Sequence, residues 1–115
     1  MKIEVSRIKN IAVLNCSGSL DSDTVSGFKR TTQALVDEGT IRIIIDSGAL
    51  TFVDSMGLGA MISLLRQVKQ RGGDVRIANV TQDVKSIFEI TRLHRIFDIC
   101  KDVKDACVKF DGALP

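Results

Sequence analysis

The chain has 115 residues, a formal net charge of +2, 44% hydrophobic residues, no Trp and no Tyr. This length predicts one domain over residues 1–115 with a packed core, and the hydrophobic fraction excludes a disordered chain. The small charge and the lack of stacking aromatics argue against nucleic-acid binding, and no apolar run reaches the ~20 residues that span a bilayer.

Cysteine usage and the first residues indicate a compartment. Cys16, Cys100 and Cys107 form an odd set without C-x-x-C spacing, which argues against a disulfide framework or a zinc knuckle. Cys16 and Cys107 fall on apolar positions and are expected to be core residues. Because Met1 leads directly into a predicted strand, we expect no signal peptide and a reducing, cytoplasmic location.

The chain opens with two short strand patterns. Ile3–Ile8 and Ile11–Ser17 are rich in strand-forming residues and are separated by the polar pair Lys9 and Asn10. This spacing predicts a β-hairpin. Gly18 is expected to close its second strand.

A helix and a central strand are predicted next. Asp21 or Ser22 would cap the start of the helix, and Gly39 suits its end because glycine readily adopts the left-handed conformation that follows many helices. The isoleucine-rich run Ile41–Asp46 predicts a strand covered on both faces. The helix has one apolar face at helical spacing: Val25, Phe28, Thr32, Leu35 and Val36.

The second half of the chain alternates helices and strands. The pattern predicts a helix over Ser55–Gln70, a strand at Val75–Val80, a helix capped by Thr81, a short strand at Ile96–Ile99 and a last helix. This order predicts an α/β fold, a mixed sheet of four to five strands with about four helices packed on it. The apolar positions of the three helices are Leu58, Met61, Ile62, Leu65 and Val68; Val84, Ile87 and Phe88; and Val103, Ala106, Cys107 and Phe110.

The stretch TFVDSMGLGAMI, residues 51–62, passes from a strand pattern into a helix pattern at Asp54 and Ser55. Sites in open α/β sheets lie where a strand ends and the next helix begins, and residues 18–22 form a second such junction at the same predicted end. Ser55 is expected to be the helix cap or the first residue after an Asp54 cap. A phosphate on Ser55 would meet free N–H groups and the positive end of the helix dipole.

Three other kinds of chemistry fit this stretch poorly. A nucleophilic serine needs a positioned base, and the placement of the single histidine, His94, supports none. Gly57 and Gly59 begin a G-x-G-x-x-G pattern that ends in Ile62, and no Walker lysine follows. The carboxylates available for a metal lack the spacing of a calcium loop; they are Asp21, Asp23, Asp46 and Asp54. We therefore predict a protein that is not an enzyme and binds no cofactor or metal.

Several segments together resemble a known family. IIIDSGALTFVDSMGLGAMI, RGGDVRIANV, VKSIFEITRL, RIFDI and the Gly18–Asp21 sequence GSLD are similar to STAS domains of the anti-anti-sigma factor type, over nearly the whole chain. The resemblance implies that the unphosphorylated protein binds an anti-sigma factor and thereby frees a sigma factor. That partner is a serine kinase with a histidine-kinase-like ATPase fold, so ATP and Mg²⁺ belong to the kinase. It phosphorylates the serine that corresponds to Ser55, and a serine phosphatase resets the switch.

The expected contact surface combines the helix start with the nearby loop. The resemblance assigns partner binding to Asp21, and the exposed junction adds polar and apolar neighbours. The predicted partner-binding residues are Asp21, Ser22, Asp54, Ser55, Met56 and Gly57. An alternative within the same family is a scaffold or an accessory subunit of a stress-signalling or transport assembly.

Two residues depart from the family pattern. Met56 occupies a position that is commonly small or hydroxylated, and it would bring a flexible apolar side chain to the contact surface. Arg92 stands where the family often has glycine, so a left-handed helix stop is less favourable there. Neither change removes the predicted acceptor Ser55.

Overall fold

The computed structural model describes residues 1–110, and the last five residues of the predicted domain, 111–115, lie outside the described residues. Strands and helices alternate after an opening hairpin. Their bounds are β1 Lys2–Ile8, β2 Ile11–Leu20, α1 Val25–Asp37, β3 Arg42–Val53, α2 Ser55–Lys69, β4 Asp74–Ala78, α3 Gln82–Ile90, β5 Asp98–Cys100 and α4 Val103–Phe110. A 3-10 turn, Leu93–Arg95, lies between α3 and β5.

The strands form one five-stranded mixed sheet in the order β1-β2-β3-β4-β5. β1 and β2 pair antiparallel, with Ile8 opposite Ile11 across the tight turn, and the three remaining pairs are parallel. Parallel neighbours require crossover connections, which α1, α2 and α3 provide. The predicted α/β fold with a mixed sheet is therefore confirmed.

Hydrophobic side chains cover both faces of the central strand. On one face, Ile43 and Ile45 join the larger core, which includes Phe28 from α1, Met61 from α2 and Phe88 from α3. On the other face, Ile44 packs with residues that include Ala106 of α4. Each fully buried isoleucine, methionine or phenylalanine contributes about 1.5–3 kcal/mol through its removal from water. Three helices, α1, α2 and α3, therefore pack on one face of the sheet, and α4 packs on the other.

β2 and β3 are longer than predicted. Gly18 does not end β2, which continues to Leu20, because the positive φ of Gly18 (89°) is accommodated at an irregularity in strand pairing. β3 likewise continues past Asp46 to Val53. Its small residue Ser47 is buried and donates a hydrogen bond to the Ala78 carbonyl at 2.9 Å. Bulges thus allow both strands to continue through residues that usually terminate a strand.

The last two strands also differ from the prediction. β4 ends at Ala78 because Asn79 takes a left-handed conformation with φ 57°, which interrupts the extended backbone. β5 lies at Asp98–Cys100, so it begins two residues and ends one residue later than predicted, since the 3-10 turn Leu93–Arg95 precedes it. Arg92 adopts φ 61°, so a left-handed residue follows α3 even without the family's glycine.

Candidate functional site

The ends of β2 and β3 bring the two predicted junctions together. β4 pairs with β3 only as far as Asp46, whereas β2 accompanies β3 up to the Leu20–Val53 pair. The backbone N–H of Asp54 then donates to the carbonyl of Leu20 at 3.1 Å. The chain leaves both strands at one place, as predicted, and this place carries the start of α2.

The Asp54 carboxylate connects the two junctions. One oxygen, Oδ1, accepts from the Gly57 N–H at 2.9 Å, and the other, Oδ2, accepts from the Ser22 N–H at 3.1 Å. The backbone of Asp54 is extended, with φ −95° and ψ −174°, which is the conformation of a helix N-cap. Asp54 is therefore the cap, and Ser55 is the first helical residue. A side-chain cap of this kind stabilises a protein by about 1 kcal/mol.

Gly57 allows α2 to lie directly against the end of β2. A Cβ atom on Gly57 would lie 2.5 Å from the carbonyl oxygen and 2.8 Å from Cγ of Leu20. No real Cβ approaches a backbone oxygen so closely, so any larger residue would push the helix away. Gly59 has open space where its Cβ would be. Close packing of α2 against β2 therefore requires glycine at position 57 but not at position 59.

Asp21 does not cap α1, and neither does Ser22. Asp21 Oδ1 accepts from the N–H groups of Asp23 at 3.0 Å and Thr24 at 3.2 Å, which forms a turn before the helix. α1 begins at Val25 after Thr24, whose side chain makes no capping bond and instead donates to the Ser19 carbonyl at 2.8 Å. The expected cap was wrong because Asp21 folds back on its own loop. That loop directs the Ser22 N–H towards Asp54.

Exposed apolar side chains accompany Ser55. Ser55 is exposed, Met56 is 50% exposed, and Phe52 near the end of β3 is 49% exposed. Sequence reasoning did not select Phe52. Residues that alternate along a strand face opposite sides, so the neighbouring Val53, which is buried, indicates that Phe52 is exposed. The irregular pairing at the end of β2 makes this alternation hard to predict from the sequence. We call Ser22, Phe52, Ser55 and Met56 the Ser55 surface.

The surroundings of Ser55 are acidic. Asp21, Asp23 and Asp54 lie in the two connected junctions, and none of them forms an ion pair with a cation among residues 1–110. Their carboxylates instead accept backbone N–H groups or face solvent. This end of the sheet, where β2 and β3 terminate, is therefore complementary in charge to cationic side chains.

The described residues supply little chemistry for catalysis at this surface. His94 is in the 3-10 turn, with Nδ1 3.2 Å from the Phe88 carbonyl oxygen, and makes no described contact with Ser55. Burial, and secondarily the charge of Asp46, raises the pKa of the Cys16 thiol to about 12, so it is not a ready nucleophile. Among residues 1–110 no group of three or more His, Cys, Asp or Glu side chains is arranged to hold a metal.

Within residues 1–110 no helix combines the length and apolarity that a membrane crossing requires.

The family follows from a match over most of the chain. The model of the STAS domain matches residues 2–106. The chain belongs to the STAS domain family. Membership in this family of regulatory binding domains confirms the prediction that the protein is not an enzyme.

Known relatives resemble the STAS chain over nearly its full length. BtrV of Bordetella bronchiseptica is 26% identical over 115 residues, which cover 100% of this chain and 99% of BtrV. The anti-sigma-B factor antagonist of Bacillus subtilis is 26% identical over 100 residues, 86% of this chain and 90% of that protein.

A solved structure shares the fold. The Bacillus cell fate determinant SpoIIAA, an anti-sigma factor antagonist, superposes with a TM-score of 0.76 in its unphosphorylated form and 0.73 in its phosphorylated form. The sequence identities are 16% and 18%, and the alignments cover 98% and 94% of this chain and 100% and 98% of the SpoIIAA chains. The superposition shows that the two proteins share a fold.

Proposed function

We propose that this STAS protein is an anti-sigma factor antagonist that is switched off by phosphorylation of Ser55. In its unphosphorylated form it binds an anti-sigma factor and thereby releases a sigma factor. The partner is a serine kinase with a histidine-kinase-like ATPase fold, which brings ATP and Mg²⁺, and a serine phosphatase restores the active form. All three act in the cytoplasm. The names of the relatives support the antagonist role.

The observation that carries the proposal is the exposed, uncommitted hydroxyl of Ser55. Asp54 supplies the helix cap with its own side chain, so the structure does not need the Ser55 Oγ atom. That hydroxyl has no hydrogen-bond partner among residues 1–110. A kinase can therefore phosphorylate Ser55 without unfolding the start of α2.

The apolar part of the Ser55 surface supports partner binding. Phe52, near the end of β3, and Met56, in the first turn of α2, are each about half exposed. A partner that covers them removes apolar area from water, which favours association by ~25 cal/mol for each Å². The acidic junctions around them favour a partner with cationic residues at the edge of the contact.

Phosphate on Ser55 would weaken this contact electrostatically. It adds a charge of about −1.5 to −2 at pH 7. The phosphate would lie next to the apolar Met56 side chain, inside the contact, whereas the partner's cations are expected at its edge. Docking would also remove water from the phosphate, which costs several kcal/mol unless the partner supplies new cations. The expected result is release of the partner without a change of fold.

Phosphorylation by a candidate kinase tests the proposal. We would incubate the protein with the anti-sigma kinase encoded nearest to its gene, with ATP and Mg²⁺, and locate phosphate by mass spectrometry of peptides. We expect a single phosphate, on Ser55, and none on Ser55→Ala. The matched control is Ser26→Ala, since Ser26 is also exposed in the first turn of a helix and should leave phosphorylation unchanged. Phosphate on another residue, or none with any such kinase, would refute the assignment.

A further inference from the structure

A groove lies at the far end of α2 from Ser55. Its walls come from the last turns of α2 and from the segment before β5, and it encloses about 400 Å³. A neighbouring cavity of about 570 Å³ shares Lys69 and Ile96 with it and extends to the 3-10 turn and α3. We call the combined surface the Ile96 groove. The residues that form its floor and rim include Ile62, Leu65, Arg66, Lys69, Arg95 and Ile96.

The floor of the Ile96 groove is apolar. Ile96 is 48% exposed, Ile62 is half-buried, and Leu65 is buried beneath them. The helical pattern predicted Ile62 for the core-facing stripe, but its side chain lies at the margin of the core, where it also lines the groove. A contiguous apolar floor with a polar rim is typical of a protein interaction site.

The rim of the groove is positively charged. Arg66, Lys85 and Arg95 are exposed, and none has a carboxylate partner among residues 1–110. Asp74 and Asp98 each lie 3.2 Å from the half-buried Arg76 guanidinium, and Asp74 also pairs with Lys69 at 3.4 Å. Glu89 lines the larger cavity, is exposed and forms no ion pair among residues 1–110. The rim therefore carries three unpaired cations and one unpaired carboxylate beside an apolar floor.

We propose that the Ile96 groove docks an amphipathic helix of a partner protein whose polar flanks are acidic. An apolar stripe at i, i+3, i+4 and i+7 would fill the floor between Ile62 and Ile96, which is the usual way that a groove recognises a helix. Glutamates or aspartates on the flanks would meet Arg66 and Arg95. Charge complementarity thus selects an acidic helix over a neutral or basic one.

A second copy of this chain fits the groove less well. The proposed occupant is an amphipathic helix with a free apolar face, whereas the apolar faces of α1, α2 and α3 are packed in the core of the folded chain. The acidic residues near Ser55 lie in loops and not along a free helix. The occupant is therefore a different protein.

The groove and the Ser55 surface are separate. α2 has 15 residues, and at 1.5 Å per residue its two ends are roughly 20 Å apart. Arg66, the rim cation of α2 nearest to Ser55, is eleven residues along the helix, or about 16 Å. That distance is about two Debye lengths in 0.15 M salt, since each is about 8 Å. Docking at the groove should consequently persist in the phosphorylated protein, which separates this inference from the proposed switch.

A peptide titration tests the groove. The probe is a synthetic helix of about 18 residues, five turns, with leucines on one face and glutamates on the flanks. A second peptide with glutamine in place of glutamate is the matched neutral control. Both are titrated into the ¹⁵N-labelled full chain, and amide shifts are followed by NMR. Vesicles that contain phosphatidylserine form a separate arm, because an anionic membrane is the competing source of negative charge.

We expect saturable shifts around Ile62, Arg66 and Ile96 with the acidic peptide, and about tenfold weaker binding of the neutral one. The double charge reversal Arg66→Glu with Arg95→Glu should remove that difference, whereas Lys29→Glu with Arg30→Glu on α1 should preserve it. Ile96→Ser should weaken both peptides. No saturable peptide binding, shifts confined to the Ser55 surface, equal effects of the two reversals, or binding to vesicles alone would overturn the proposal.

Discussion

The two ends of α2 are built alike but present different surfaces. At each end a glycine lies against backbone at the terminus of a strand, since Leu20 ends β2 and Ile41 directly precedes β3. An added Cβ on Gly57 would come within 2.5 Å of the Leu20 oxygen, and one on Gly73 within 2.0 Å of the Ile41 oxygen. The first end exposes Ser55 among carboxylates, whereas the second exposes an apolar groove rimmed by cations.

This difference separates the structural role of charge from its functional use. A carboxylate at a helix start and cations in its last turn both match the helix dipole. Asp54 at the first end, and Arg66 and Lys69 at the second, follow that rule. The dipole thus accounts for the sign of charge at each end. The Ser55 hydroxyl, in contrast, takes no part in the cap, which Asp54 supplies, so it is available for the proposed phosphorylation.

The largest expected effect is at the groove end. Gly73→Ala should lower the free energy of unfolding by about 3 kcal/mol or more, because the new methyl group would overlap the Ile41 carbonyl. The Asp74 N–H bond to Ile41, 3.0 Å, would be strained with it. Urea unfolding followed by circular dichroism measures the change. Gly59→Ala is the control. Its Cβ meets nothing within 4 Å, so it should raise stability by about 0.5–1 kcal/mol. Similar losses for the two variants would show that close approach is not the cause.

A somewhat smaller loss is expected at the Ser55 end. Gly57→Ala should cost about 2–3 kcal/mol, because the close contacts include the Leu20 side chain, which is more adjustable than backbone. The helix start would move, so affinity for the anti-sigma partner should fall as well. Urea unfolding and calorimetric titration measure the two effects. A fully stable Gly57→Ala protein would contradict the close packing of α2 against β2.

Removing the cap should have a moderate effect. Asp54→Ala leaves the N–H groups of Gly57 and Ser22 without their acceptor, which should cost about 1–2 kcal/mol in urea unfolding. Asp54→Asn should lie between the alanine variant and wild type. Its amide oxygen can replace one acceptor, but its NH₂ group cannot accept from the second N–H. Equal stability of the asparagine and alanine variants would show that the cap to Gly57 contributes little.

Local patterns predicted the elements on which this comparison depends. Helical spacing and the Asp54-Ser55 pair placed the start of α2 correctly, and the isoleucine run identified β3 as a strand buried on both faces. The full length of β3 was not predictable by the same means. Small residues such as Ser47 usually end strands, and only tertiary contacts such as its bond to Ala78 hold them in a bulge.

Features made by distant residues were also missed. Gly73 follows the predicted helix Ser55–Gln70, and nothing local in the sequence reveals that Ile41 lies against it. The Ile96 groove combines side chains about 30 positions apart in the sequence, so no single helix or strand pattern announces it. Asp21 was predicted as a cap because the sequence does not distinguish a helix cap from a turn that precedes the helix.

Calorimetric titration of the anti-sigma kinase with phosphorylated and unphosphorylated protein tests the proposed switch. We predict that phosphorylation of Ser55 weakens binding by about 100-fold, or ~2.7 kcal/mol, while Ser55→Ala binds like the unphosphorylated protein. Equal affinity of the phosphorylated and unphosphorylated forms would contradict it.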